Sequence, residues 1–218
     1  MEKFNPKIIL SAAISIDGKI ATVSGDSKLS SKKDLTRLHK LRAQVDAILV
    51  GKNTVNKDNP LLTVRYSKGK NPIRIILDSR GTISSKSKIL QTSNKVKTII
   101  VVSKKITKRN LQKLKKFPIE ILTIGENQVN VKLLIKILGK KKIKTILLEG
   151  GGTINWEFIK NNLVNEFFIT VTPFILGGKD AINLVQGEGF DRITKSPKLQ
   201  LNGIMRLEND LVLHYSKL

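Results

Sequence analysis

The sequence predicts an α/β fold: a mostly parallel central sheet flanked by helices, with a C-terminal antiparallel hairpin. Three observations carry this. Short apolar runs without charge, such as Ala47–Val50 and Thr145–Leu148, read as strands covered on both faces. Segments with helical spacing alternate with those runs through most of the chain. Near the end, Leu199–Leu207 and Leu211–Tyr215 flank Glu208-Asn209-Asp210, a hairpin signature. No repeat, low-complexity linker or compositional break interrupts the pattern, so a single domain over residues 1–218 is expected.

Taken in order, Lys7–Ile16 is an apolar run rich in Ile and Ala and reads as the first strand. Asp17-Gly18 turns the chain, Lys19–Val23 continues extended, and Ser24–Ser27 is a polar loop. Ser31–Ala43 reads as a helix, with Leu35, Leu38, Leu41 and Arg42 near helical spacing; Ser31 followed by Asp34 resembles a capping box. Ala47–Val50 is a buried strand. The segment Gly51–Arg65 is polar and turn-rich, and reads as a long loop leaving a strand's carboxyl end, a common place for function. Ile73–Leu77 and Thr98–Val102 are strands, Lys108–Lys116 a short basic helix, Glu120–Ile124 a strand and Val131–Leu138 an amphipathic helix. After Thr145–Leu148 come Gly150, Gly151 and Gly152, then a helix with Ile154, Phe158 and Ile159 on one face and Thr153 as its expected N-cap. Glu166–Thr172 is a further strand, followed by Pro173 and a Leu176-Gly177-Gly178 turn.

Composition narrows the function. The chain of 218 residues, 40% hydrophobic and 26% charged, is long enough and apolar enough for a continuous core. No apolar run approaches the roughly 18 residues of a membrane span. Residues 1–7 lack a signal-peptide pattern, so a cytoplasmic setting is expected, with no membrane partner. The absence of cysteine excludes disulfides and thiolate metal sites. His39 and His214 stand apart from any ligand-spaced carboxylate cluster, so no metal site is expected and both read as structural or surface residues. A net charge of +23 suits nucleic acid or phosphorylated small molecules. The basic residues carry few interleaved aromatics and no nucleic-acid module, so specific nucleic-acid binding is not expected.

The candidate chemistry lies in loops at strand carboxyl ends: Ser24–Ser27, Asn53–Arg65, Asp78–Gly81 and Glu149–Thr153. In a parallel sheet these converge on one edge. The glycine turn admits close approach to the backbone, and the helix start beyond it offers free N–H groups to an anion. It lacks the lysine of a Walker loop and the spacing of a dinucleotide fingerprint. A packed strand-to-helix turn without a ligand is the competing reading. Hydroxyls at Ser27, Thr54 and Thr153, carboxylates at Asp58 and Glu149, and guanidinium groups at Arg42 and Arg65 complete the set. Arginine suits bidentate contact with a phosphate, although each arginine could equally be a solvated surface residue.

The segments Ser15–Thr22, Leu41-Arg42-Ala43, Gly51–Val55, Asp58–Arg65, Ile75–Ser79, Leu148–Thr153 and Pro173–Gly178 together resemble one family. It is the archaeal riboflavin-pathway reductase acting on 2,5-diamino-6-ribosylamino-4(3H)-pyrimidinone 5′-phosphate. That family shares its domain with the reductase half of bacterial bifunctional riboflavin enzymes. The resemblance covers nearly the whole chain in the family's order. It implies a dihydrofolate-reductase-like fold, a homodimer, and an NADPH-dependent reduction delivering hydride to the sugar C1′ of the ring-opened imine. It implies cofactor contacts from Thr54, Asp58, Asp78, Ser79, Gly150, Gly151, Gly152 and Thr153. It implies substrate contacts from Ser27, Arg42, Leu62, Arg65 and Glu149, the two arginines suiting the ribose 5′-phosphate and Glu149 a donor on the amino-pyrimidine. Arg80, beside Ser79, favours the 2′-phosphate of NADPH by charge. Asp58 and Glu149 are the acid–base candidates for ring opening. The terminal hairpin, or an edge strand near Ile169, is expected to supply the dimer interface.

Three departures mark this chain. The zinc deaminase signature of the bifunctional enzymes is absent from residues 1–218, so deamination is expected to fall to another protein. Bacterial relatives often carry a lysine seven positions before the Asp-Gly turn; here Leu10 stands there. The family's Asp-Asp-Pro reads Asp58-Asn59-Pro60, leaving the first carboxylate to carry any role. The alternatives are a reductase of the same fold for another pterin-like or pyrimidine substrate, and a basic nucleic-acid-binding protein supported by charge alone.

Overall fold

A computed structural model describes residues 5–218; residues 1–4, part of the stretch read for a leader, lie outside it. The apolar runs become strands β1 (Lys7–Ile14), β3 (Ala47–Gly51), β4 (Ile73–Leu77), β5 (Thr98–Val102), β6 (Glu120–Thr123) and β7 (Thr145–Gly150). Strands β8 (Glu166–Val171), β10 (Leu199–Leu207) and β11 (Asp210–Lys217) complete a nine-stranded sheet in the order β10-β11-β8-β1-β7-β3-β4-β5-β6. All pairings from β8 to β6 are parallel. Strand β11 runs antiparallel to both β8 and β10, the expected antiparallel edge. A small pair, β2 (Lys19–Ala21) with β9 (Ile182–Asn183), stands apart.

The inner parallel strands β3, β4, β5 and β7 are largely apolar because both faces are covered, whereas β10 at the edge is mostly exposed. Side chains alternate, sending Leu49, Ile75, Leu77, Ile99 and Val101 to one face. There they meet Leu134 and Leu138 of α5 (Val131–Lys140) and Phe158 of α6 (Gly152–Lys160). Ile48, Val50, Ile76, Ile100 and Val102 face the other layer. They meet Leu38 and Leu41 of α1 (Lys32–Gln44), Val55 of α2 (Lys52–Asp58), Leu90 of α3 (Lys88–Gln91) and Leu114 of α4 (Lys108–Leu114). Each fully buried Leu or Ile contributes about 1.5–3 kcal/mol. Leu10 belongs to this core, 1% exposed, so no group at that position reaches a ligand.

One guanidinium sits inside the apolar layer. Arg74 of β4 is fully buried and donates to the hydroxyls of Thr98 (2.7 Å) and Thr92 (2.8 Å). It also donates to the carbonyls of Leu61 (3.2 Å), Ile89 (2.9 Å) and Val96 (3.1 Å). Burial lowers its pKa to about 10. These bonds staple α3 and Leu61 to the sheet, beside Leu62, whose φ of 51° is left-handed although it is not glycine.

Three expectations change. The segment read as a long loop forms α2, because Val55 finds a place in the core. Its other residues are polar, which left no apolar periodicity to read. Asn59 stops it in a left-handed conformation, its N–H bonding the Val55 carbonyl, before Pro60. Helix α6 starts at Gly152, with Gly151 rather than Thr153 at the N-cap and no side-chain cap. Strand β8 is not an edge: Ile169 pairs with Ala12 on one side and Leu213 on the other, so the edges are β6 and β10. The short elements α3 and β9 lacked a periodic signal, whereas Lys19–Val23, read as extended, forms β2 over Lys19–Ala21.

Candidate active site

A cavity of about 670 Å³ opens at the carboxyl ends of β1, β3 and β7, a size suited to a small-molecule ligand of roughly 300–1,000 Å³ sites. Helix α1 supplies Leu35, Leu38 and Arg42 to its wall, and α2 supplies Thr54, Lys57 and Asp58. The loop before α1 contributes Ser27, and the segment after β8 contributes Ile182 and Gln186.

Its floor is the glycine turn. Gly150 takes a φ of 84°, open to glycine at little cost, and Gly151 precedes the helix. A Cβ on Gly152 would stand 2.5 Å from the carbonyl oxygen of Asn183, so glycine is required by the strand crossing above it. The Thr54 hydroxyl accepts the Gly151 N–H at 3.3 Å, fixing the turn against α2. Helix α6 has nine residues, and its first amides lack intrahelical partners. Asn155, 1% exposed, donates to the Leu184 carbonyl at 2.7 Å while its Oδ1 is a buried acceptor without a partner. An anionic dinucleotide fits this cradle: backbone donors, a helix dipole and room for close approach coincide. The residues that would hold it are Thr54, Gly151, Gly152 and Thr153.

Arg42 and Glu149 meet across the cavity as a buried, bidentate pair. Arg42 Nε donates to Oε1 at 2.7 Å and Nη2 to Oε2 at 2.6 Å, with side chains 8% and 10% exposed. Burial pulls the guanidinium pKa down, but the Glu149 charge and hydrogen bonds outweigh it, and the net shift is upward. Nη1 donates to the Thr63 carbonyl at 3.2 Å. Asp58 lies at the rim, within reach of solvent. Desolvation raises its carboxyl above the usual range, against a hydrogen bond from Ser27 and the Lys57 charge.

The structure therefore brings Ser27, Arg42, Thr54, Asp58, Leu62, Glu149, Gly151, Gly152 and Thr153 to one cavity. Gly150 is buried just beneath. It does not bring Arg65, Asp78, Ser79 or Arg80 into the wall. Asp78 accepts from the Ile83 N–H at 2.7 Å and the Thr82 hydroxyl at 3.2 Å, closing its own turn. The Ser79 hydroxyl accepts from the Val129 N–H at 3.2 Å, and Arg80 is exposed at that turn. These three end β4, next to β3, whose end opens into the cavity. Arg65 is exposed beyond α1, its guanidinium 5.6 Å over the Tyr66 ring.

Sequence reasoning missed Lys57, Asn155 and the 182–186 crossing, and His39, read as structural or surface, is buried. His39 lay one helical turn before Arg42, a spacing that puts both on one face. Asp17 also emerges: its carboxylate accepts the N–H groups of Leu176 (3.0 Å) and Gly177 (2.8 Å), tethering the segment that leads to that crossing. With the Ser15 hydroxyl as largest cause, these bonds lower its pKa to about 2. Among the described residues, no group of three or more His, Asp or Glu is placed to hold a metal. No helix among them is long and apolar enough to cross a membrane.

Comparison with known proteins adds four findings. The sequence profile of the RibD C-terminal domain matches residues 6–213. The 2,5-diamino-6-ribosylamino-4(3H)-pyrimidinone 5′-phosphate reductase of Methanothermobacter thermautotrophicus is 37% identical over 97% of this chain and 98% of its own. Among solved structures, a diaminohydroxyphosphoribosylaminopyrimidine deaminase/5-amino-6-(5-phosphoribosylamino)uracil reductase from Thermotoga maritima superposes with a TM-score of 0.81 at 25% identity. The match covers 98% of this chain and 57% of that longer one. A dihydrofolate reductase from Enterococcus faecalis, complexed with NADP(H), shares the fold at a TM-score of 0.57 and 10% identity, covering 98% of both chains.

Proposed function

This chain belongs to the RibD C-terminal domain family, and from there we propose that it reduces 2,5-diamino-6-ribosylamino-4(3H)-pyrimidinone 5′-phosphate to the ribitylamino compound in riboflavin biosynthesis, using NADPH. The observation that carries this reading is the pairing of the α6 glycine cradle with the Arg42–Glu149 pair in one cavity. A chain-length relative named for that reductase stands beside it. The reaction consumes the substrate, one NADPH and a proton, and yields the ribityl amine and NADP⁺.

When bound, the nicotinamide supplies the hydride for C1′ of the ring-opened imine. The residues do the rest. The Gly151–Thr153 turn, through its Gly152 and Thr153 amides, and Thr54 hold the diphosphate, while the Gly151 N–H stays on the Thr54 hydroxyl, and Leu62 packs against the pyrimidine. The Arg42–Glu149 pair forms the polar wall, with Glu149 oriented toward an amino-pyrimidine donor and Arg65 toward the 5′-phosphate. Between the two acid–base candidates the surroundings favour Asp58. Both oxygens of Glu149 are engaged by Arg42, whereas Asp58 has a raised pKa, which suits proton transfer to the ribose ring oxygen as C1′ opens. Asp78 and Ser79 would act through the turn they build, presenting Arg80 to a 2′-phosphate. A cytoplasmic homodimer accompanies the reading, its interface on the open edge β10, where Ile204 and Met205 are exposed.

The test is to mix the protein with NADPH and that pyrimidinone phosphate and follow nicotinamide absorbance, with NADH in parallel. Substrate-dependent oxidation, faster with NADPH, is expected. Tight NADPH binding without oxidation would move the reading to another reducible substrate, and no binding of either cofactor would end it.

A further inference from the structure

His39 is 1% exposed on α1, although an imidazole carries two polar atoms that must be accommodated. Its Nδ1 accepts the Arg65 amide N–H at 2.8 Å and lies 3.4 Å from the Tyr66 amide. Its own carbonyl accepts the Ser67 hydroxyl at 2.9 Å, and its ring meets Tyr66 edge-on at 4.6 Å. One turn later on the same helix, Arg42 donates to the Thr63 carbonyl. A single turn of α1 thus grips residues 63 to 67 at four points.

Acceptance at Nδ1 puts the ring proton on Nε2, where it faces Arg42 Nη1 at 3.3 Å as donor against donor, without an acceptor. The charged or titratable groups facing the ring are Arg42 on α1, Arg65 and Tyr66 on the loop, and Glu149 on β7. Burial first, then the Arg42 and Arg65 charges, hold the pKa down at about 4, with Glu149 opposing. At neutral pH the ring is therefore an uncharged acceptor.

We infer that His39 is a positioning residue for phosphate recognition: by fixing the Arg65 backbone amide it sets where the Arg65 guanidinium is presented. The inference rests on the proposed assignment of Arg65 to the substrate 5′-phosphate. Glu149 already occupies two Arg42 nitrogens, so of the two arginines assigned to the phosphate Arg65 is the one left, standing outside the cavity wall with its guanidinium over Tyr66. A loop held at its backbone loses less freedom when the phosphate arrives.

The test uses wild type, His39→Leu, His39→Asn and Arg65→Ala, each with the phosphorylated substrate and its dephosphorylated counterpart. Asparagine keeps an acceptor near the Nδ1 position. His39→Leu is expected to raise KM about tenfold for the phosphorylated substrate with kcat within about twofold, while leaving the dephosphorylated KM unchanged. His39→Asn is expected to recover most of that loss. Equal KM increases for both substrates, a fall in kcat, or no recovery with asparagine would overturn the inference. If wild type ignores the phosphate, the proposed substrate falls; if Arg65→Ala alone is neutral, the Arg65 assignment and the inference fall together. Should His39→Leu not fold, long-range nitrogen NMR of the wild type decides. The Nε2–H tautomer from pH 8 to 6 is required, and an Nδ1–H tautomer overturns it.

Discussion

Glu149 and Asp58 are both carboxylates of one cavity, yet their surroundings separate them. Glu149 faces a guanidinium with both oxygens, so Glu149→Gln leaves a buried, uncompensated Arg42 charge. A loss of about 3 kcal/mol or more in unfolding free energy is expected, together with loss of activity. Asp58 sits at a rim where solvent compensates, so Asp58→Asn should leave thermal stability within about 0.5 kcal/mol while lowering kcat about 100-fold. If it weakens only NADPH binding and the saturated rate survives, Asp58 is no acid–base group. His39 adds a pH signature. Its folded pKa of about 4 lies below the roughly 6.5 of a free imidazole, so between these values the unfolded chain holds more protons. Its stabilising contribution is complete above about pH 6.5 and is lost as pH falls from there toward 4. The Tm of wild type should therefore drop more steeply over that window than that of His39→Asn, which cannot titrate; equal slopes would remove the claim. At this scale the sequence disclosed residue types and resemblance but not partnership. Nothing in the letters joins Arg42 to Glu149, 107 positions apart, rather than leaving each free for a ligand.

The glycine turn is legible as an element because three glycines between an apolar run and a helical pattern have few other readings. Its start at Gly152 was not legible, since it depends on Asn183, which crosses above from a segment with no periodicity. That crossing gives the next prediction. Gly152→Ala places a Cβ 2.5 Å from the Asn183 carbonyl, so either the turn or the crossing must shift. NADPH binding, measured by titration of nicotinamide fluorescence, should weaken at least tenfold. Unchanged binding would mean that the 182–186 segment yields freely. Helix α2 shows the opposite failure: seven residues with one buried side chain carry too little apolar pattern to be recognised, and tertiary packing of Val55 decides it.

For the whole molecule, alternation of apolar strands and helices fixed the sheet and its antiparallel end, while strand order lay beyond local pattern because pairing is decided by distant segments. The continuous sheet supports one cooperative unit over the described residues. Edge strand β10 exposes Ile204 (63%) and Met205 (54%), which fits a second copy of the chain. Ile204→Lys should yield a monomer by sedimentation equilibrium without unfolding, and a wild type that is already monomeric would discard the interface. The position of β1 between β7 and β8 has a temporal consequence. Strand β1 leaves the ribosome well before its two neighbours, which follow only with residues 145–171. Until then an apolar ribbon with two unsatisfied edges must be kept from wrong pairings. Closing so long a span makes the pairing of β1 a late and slow event, so this strand is where nascent chains of this protein most need a chaperone.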